Sequence, residues 1–229
     1  MSLFRNADEL LKYIRDNDVQ MLDLKVIDLI GRWHHMTYSA PHVTEKLFTD
    51  GTGISLSPYP GYRAIEQGDM LVVPDPRTAF PDPFYELDTI SVICDIRTPD
   101  GENYPRDPRR IARRAEACIE AAGLDARSMW LPEFEFYIFD GVRYGSGPDK
   151  AFYHIDCSWA DWQADVERDF NPGVMLKPIG NGQADAPRDR LFNIRSEMVA
   201  RFEAAGFPIK YHHHELGGPG QCEIEPYFN

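Results

Sequence analysis

Glutamates recur at every second position in two short segments of this chain, Leu131-Pro-Glu-Phe-Glu-Phe-Tyr137 and Gly220-Gln-Cys-Glu-Ile-Glu225. A strand's period of two puts Glu133, Glu135 and Tyr137 on one face and Phe134, Phe136 and Ile138 on the other. It likewise separates Glu223 and Glu225 from Cys222 and Ile224. A third segment, Lys210-Tyr-His-His-His-Glu215, has His213 and Glu215 on one face and His212 and His214 on the other. Neighbours on a strand point oppositely and cannot all ligate one ion. Surface or hydrogen-bonded histidines therefore explain the triplet better than a three-histidine site. For a single glutamate-bearing strand, a solvated face is explanation enough. Three such strands, two of them joined by the Gly217-Gly-Pro-Gly220 turn, are a different matter. Carboxylates gathered on one surface repel and raise one another's pKa unless a cation sits among them. Ligation by several glutamate oxygens points to Mg²⁺ or Mn²⁺, not zinc. Such ions hold nucleotide phosphates and neutralise charge during phosphoryl transfer. Three solvated sheet faces remain the alternative. The chain has no G-x-x-x-x-G-K-[ST] and no G-x-G-x-x-G after a strand, so a nucleotide here would have its phosphates held by the ions.

The elements that must position these segments are legible around them. A short helix is expected near Ala7–Asp16, then an alternating strand from Met21 to Ile30. A turn at Gly31-Arg32 and a returning strand Trp33–Tyr38 complete a hairpin. Pro41 opens a helix ending at Asp50-Gly51. Gly51, Gly53, Pro58, Pro60 and Gly61 read as an irregular loop. Strands Met70–Val73 and Thr89–Asp95 flank the proline-rich Pro74–Pro83. Strand pair, helix and further strands make a β-grasp order. From Asp107-Pro108, an N-cap with proline at the first helical position, a helix carries the apolar stripe Ile111, Ala115, Cys118, Ile119 and Ala122. The strand Met129–Phe139 follows. The same unit recurs as a helix Asp189–Ala205, with Leu191, Ile194, Met198 and Phe202 on one face, and a strand Ile209–Leu216. Between the two units, Asp140–Asp189 reads as loop-rich, with a short strand at Tyr153–Cys157. The fold class is α+β, with a domain boundary near residue 105.

Bulk properties narrow the function. The 229 residues carry 24 Lys+Arg against 37 Asp+Glu, a net charge of −13, which excludes sequence-independent binding to nucleic acid or an anionic membrane. No stretch approaches the ~20 apolar residues of a membrane span, and MSLFRNADELL has acids where a signal peptide needs an apolar core. Cys94, Cys118, Cys157 and Cys222 are far apart with no C-x-x-C, so neither a disulfide framework nor a zinc site is signalled. A cytoplasmic location is expected.

Seven segments, in order, resemble the N-terminal half of type I glutamine synthetases. Asp28-Leu-Ile-Gly31 with His34-His35-Met36-Thr37 is similar to that family's D-x-x-G-x-x-x-H-x-T hairpin, and Phe48-Thr-Asp50-Gly51-Thr-Gly-Ile54 to its F-D-G-S-S-I loop. Gln67-Gly-Asp69-Met70 with Pro74-Asp75, and Cys94-Asp95-Ile96 with Asp107-Pro108-Arg109, match two further motifs. Leu131–Asp140 resembles P-E-x-E-F-F-x-F-D. Ile194-Arg-Ser-Glu-Met198, and His212-His-His-Glu215 followed by Gln221-Cys-Glu223, complete the set. The resemblance implies an N-terminal β-grasp domain over 1–104 and the first part of a ligase catalytic domain over 105–229. It implies ATP and Mg²⁺ or Mn²⁺ as cofactors, and glutamate and ammonia as substrates joined through a γ-glutamyl phosphate. A homo-oligomer with active sites between subunits is also implied. By motif, Glu135, Glu215 and Glu223 would ligate one ion and Glu133 the other. Asp50 would reach a neighbouring subunit's site and help deprotonate ammonium, and Phe228 would line the adenine pocket.

Two departures bear on the substrate. Lys210 stands on the nucleotide side where the family has a glutamate, and Gly180-Asn-Gly-Gln-Ala-Asp-Ala-Pro187 replaces G-G-Y-F-P-V-P-P. A γ-glutamyl ligase acting on another amine is the competing reading, and a non-catalytic metal-binding or assembly module a third. The resemblance ends in what should be mid-domain, so the expectation is an incomplete portion without turnover of its own.

Overall fold

Helix α1 (Ala7–Asp16) starts where the Asn6 side chain accepts a hydrogen bond from the Glu9 amide. It buries Leu10, Leu11 and Ile14, the apolar stripe of its sequence. The computed structural model describes residues 2–60, 69–123, 125–167 and 173–228. Gly61, Gln67 and Gly68, used in the motifs and loops above, lie outside the described residues. By internal packing the chain divides into Met1–Ser128 and Met129–Asn229.

The first unit is a β-grasp. Strands β1 (Met21–Ile27) and β2 (Trp33–Ser39) form the expected hairpin, paired from Met21↔Ser39 to Ile27↔Trp33. Its turn is held by Asp28, whose carboxylate accepts from the Ile30 and Arg32 amides at 3.0 and 2.9 Å and faces His34 Nε2 at 2.9 Å. Although buried, Asp28 stays below the usual carboxylate range because of the His34 and amide hydrogen bonds. Strand β6 (Thr89–Arg97) runs parallel to β1, and β4 (Asp69–Pro74) and β3 (Thr52–Ser55) complete the path β2-β1-β6-β4-β3. The short β5 (Phe80–Pro81) pairs β6. Leu22, Leu24, Val72, Ile90, Val92 and Ile96 form the core with Leu10 and Ile14 of α1.

Three details differ from the sequence expectation. The helix expected from Pro41 is a 3₁₀ turn, Ala40–His42, followed by the five-residue α2 (Glu45–Thr49). The stretch after it is not all loop: Thr52–Ser55 pairs β4 as β3. Gly51 permits this, since its φ is +74° and a side chain there would meet the Val72 carbonyl oxygen. Helix α3 (Pro108–Ala121) follows the expected Asp107 cap but buries none of its residues. It is held to the first unit by charge: Arg109 and Arg113 each donate to Asp75 at 2.9 Å, and Arg113 reaches Asp95 at 2.6 Å.

In the second unit the central layer is an antiparallel sheet, β10 (Ile209–His214), β11 (Gln221–Pro226) and β7 (Phe134–Tyr137), in that order. Helix α4 (Phe192–Ala204) packs on β10 and β11. The segment expected to be loop-rich holds a second hairpin, β8 (Gly141–Ser146) with β9 (Ala151–Asp156), turned at Gly147-Pro-Asp149.

Candidate metal centre

Register in the three-stranded sheet decides which side chains meet. Glu223 is the cross-strand partner of Glu135 on one side and of His213 on the other. Residues directly opposite project to the same face, so His213, Glu223 and Glu135 form one row across the sheet. The neighbouring row pairs Tyr211 with Glu225, and Glu215 lies just past the end of β10. Glu133 precedes β7.

Two glycines make the register possible. Gly220 has φ +91°, and a Cβ on it would strike the Ile138 carbonyl oxygen. The Gly217 amide donates to Gln221 Oε1 at 2.5 Å, and a Cβ there would meet that same amide group and the Tyr137 hydroxyl. The return between β10 and β11 is therefore tight enough to place Glu215 beside Glu223.

The opposite face of the sheet is tied down by a buried arginine. Arg195 of α4 is fully buried and donates to both Asp189 oxygens, at 3.0 and 2.5 Å. Its Nε donates to His212 Nδ1 at 3.2 Å, and Nη1 reaches Cys222 Sγ at 3.8 Å. His212 Nε2 is 3.2 Å from Ser196 Oγ. Burial and then the Arg195 charge push the His212 pKa down, so the ring is a neutral strut. His212 and Cys222 alternate with His213 and Glu223, and this network holds from behind the strands whose front faces carry the acids.

On the front face two groups of three side chains bring ligand atoms within 4.8 Å of one another: His213, Glu215 and Glu223, and Glu133, Glu223 and Glu225. His213 Nδ1 lies 3.4 Å from Glu215 Oε2, and Nε2 lies 3.6 Å from Glu223 Oε2. Glu223 is buried, and its pKa is pushed up to about 7, first by burial, then by Glu215 and by the charges of Glu133 and Glu135. Glu215 stays below the ordinary range because the Leu216 amide and the protonated Glu223 carboxyl donate to it. A carboxyl raised in this way by burial and by its acidic neighbours is the response expected where a cation belongs. The two carboxylates suit Mn²⁺ or Mg²⁺ with water completing the shell, whereas the imidazole is the one donor of the set that a softer transition ion would take as readily.

The expected site residues do not all meet here. Glu215 and Glu223 do, and Glu133 joins the second group. Glu135 is in the same row but in neither group; its Oε2 accepts from Gln221 Nε2 at 2.7 Å. Lys210 is ion-paired to Glu225 at 2.6 Å. Phe228 follows β11 and is exposed. Asp50, in the first unit, is the exposed C-cap of α2 and accepts from Thr49 Oγ1 at 2.9 Å. Two residues of the front face were not assigned a role from sequence. His213 shares a face with Glu215 by alternation, a signal masked by the histidines on either side of it. Glu225 alternated with Glu223 and lacked only a known partner. The departing segment docks on the end of β10: the Gln183 amide donates to the His214 carbonyl at 2.7 Å, and buried Asn181 donates to the Lys177 and Gly217 carbonyls at 2.8 and 3.0 Å.

A β-grasp unit, followed by a sheet whose one face gathers an imidazole and several carboxylates, defines an α+β class with a site suited to a hard divalent cation. The chain belongs to the glutamine synthetase family: the model of its β-grasp domain matches residues 18–99, and that of its catalytic domain matches 105–229. Among similar proteins, a glutamine synthetase of Frankia alni is 38% identical over 225 residues, covering 97% of this chain and 48% of the relative. A 3-hydroxylaminophenol mutase of Cupriavidus pinatubonensis is 37% identical over 227 residues, covering 98% and 48%. The Plasmodium falciparum glutamine synthetase structure superposes with TM-score 0.85 at 20% identity, over 99% of this chain and 45% of that one. The chain thus spans about half the length of the curated relatives it matches. No helix among the described residues is long and apolar enough to cross a membrane.

Proposed function

We propose that this chain carries the cation-binding part of an ATP-dependent ligase that makes a carbon–nitrogen bond, with glutamate and ammonia as substrates. The observation that carries the reading is the juxtaposition of His213, Glu215 and Glu223. Those side chains would hold one Mg²⁺ or Mn²⁺, with Glu133 and Glu135 beside it. Bound there, such an ion would supply charge neutralisation for phosphoryl transfer from ATP, and His213, Glu215 and Glu223 would be the residues that hold it. In that reaction an oxygen of the glutamate side-chain carboxylate attacks the γ-phosphorus and ADP leaves. Ammonia then attacks the acyl carbon and phosphate departs.

The chain's own residues supply the setting. Asp50 would take a proton from ammonium in a neighbouring subunit of a homo-oligomer, and Phe228 would stack on adenine. Lys210 would face the phosphates. The segment after residue 105 would be the catalytic domain, and the protein would work in the cytoplasm. Titration calorimetry with Mn²⁺, then ATP, tests the reading: ATP should bind only with the metal, and Glu223→Gln should abolish both. A folded chain without Mn²⁺ affinity would refute it.

A second acceptor is favoured by one observation. Residues 180–184 pack against the Glu215 end of β10 with a sequence unlike the family motif. This makes another amine the alternative to ammonia. An amine screen on the whole protein separates the two.

A further inference from the structure

The two three-residue groups on the front face share Glu223, and a cation is already present at one of them. Lys210 Nζ lies 2.6 Å from Glu225 Oε1, on a carboxylate that is almost entirely buried. The ammonium also lies 4.6 Å from the centroid of the Tyr211 ring, a cation–π contact that steadies it.

Alternation alone would not bring it there. Lys210 has the parity of His212, which meets Arg195 and Ser196 of α4, whereas Glu225 has the parity of Glu223 on the front face. The β10–β11 register shifts between Ile209, opposite Pro226, and Tyr211, opposite Glu225, leaving Lys210 as the extra residue of a bulge. A bulge re-aims one side chain without changing the pairing beyond it, and here it swings Lys210 to the acidic face.

We propose that Lys210 is a built-in cation standing where a second divalent ion would otherwise bind, so that the chain takes one ion, at His213, Glu215 and Glu223. This rests on the metal-site reading above and deepens it. Glu133, Glu223 and Glu225 have the ligand atoms for a second ion, but Glu225 is committed to Lys210, and two cations there would repel. With 37% of its side chain exposed, Lys210 also remains reachable by a phosphate oxygen. It thereby sets which charge the nucleotide meets at that end of the site: a fixed ammonium, not an exchangeable ion.

The test is a Mn²⁺ titration of the full chain, followed by the electron paramagnetic resonance signal of free Mn²⁺. Wild type should bind one Mn²⁺ per chain. Lys210→Met should bind two, and Lys210→Met with Glu225→Gln should return to one. Should Lys210→Met lose its fold by circular dichroism, Lys210→Gln serves in its place. Two ions in wild type, or one in a folded Lys210 variant, overturns the inference and leaves the metal-site reading standing. No ion in folded wild type overturns both.

Discussion

Glu223→Gln should make the metal-free protein more stable at pH 8 while removing its affinity for Mn²⁺. Glu223 rises from 4.5 to about 7 in the folded chain. A carboxyl raised on folding contributes stability that is fully present below its unfolded value and is lost as pH climbs through the folded one. The rise corresponds to roughly 3 kcal/mol withdrawn between pH 4.5 and pH 8. A glutamine keeps the shape, cannot ionise, and its amide can still donate to Glu215. At pH 8 the variant should therefore unfold about 2–3 kcal/mol less readily than wild type, and at pH 4, below the unfolded value, the two should be alike. Urea denaturation with a chelator present, at several pH values, reads this through Trp130, Trp159 and Trp162 of the second unit. A variant less stable at pH 8, or a difference that does not change with pH, would refute the reasoning.

Proton release follows from the same raised Glu223 carboxyl, and two further consequences rest on other residues. Mn²⁺ binding at pH 7 should release about half a proton from Glu223 and about a tenth at pH 8; calorimetry in buffers of differing ionisation enthalpy measures the count, and equal release at both values would count against it. Arg195→Met leaves Asp189 buried without its partner and should cost about 3–5 kcal/mol, read as a lower denaturation midpoint of the second unit, with Arg195→Lys intermediate. Gly220→Ala demands a left-handed residue against the Ile138 carbonyl and should cost at least about 1–3 kcal/mol together with most Mn²⁺ affinity; an unaffected affinity would show that the tight return does not place Glu215.

What was legible in the sequence is what depends on local periodicity. The alternation of Glu133 and Glu135, and of Glu223 and Glu225, marked two acidic faces, and the β1–β2 hairpin and the Asp107 cap announced themselves by turn and cap residues. Register was not legible: the pairing of Glu135, Glu223 and His213 is set by a turn whose glycines look like any other glycines. That pairing moved Glu135 to Gln221 and brought His213 forward. Lys210 was read by motif position, but the bulge that aims it at Glu225 has no sequence signature of its own. The short strand expected at Tyr153–Cys157 overlaps β9, but its partner β8 is not legible despite Gly147-Pro-Asp149, because Tyr144, Phe152 and Tyr153 are exposed and the pair lacks a buried apolar face. The apolar stripe of α3 predicted burial, whereas in this chain the arginines on that helix make its attachments.

The central claim is that one divalent ion belongs among His213, Glu215 and Glu223. Crystals of the chain soaked in Mn²⁺ and measured at the manganese edge test it most directly. The account predicts an anomalous peak about 2.1–2.3 Å from one atom of each of the three side chains, allowing for Mn²⁺ being slightly larger than Mg²⁺. Ordered side chains with no peak between them, or a peak bound elsewhere on the sheet, would contradict it.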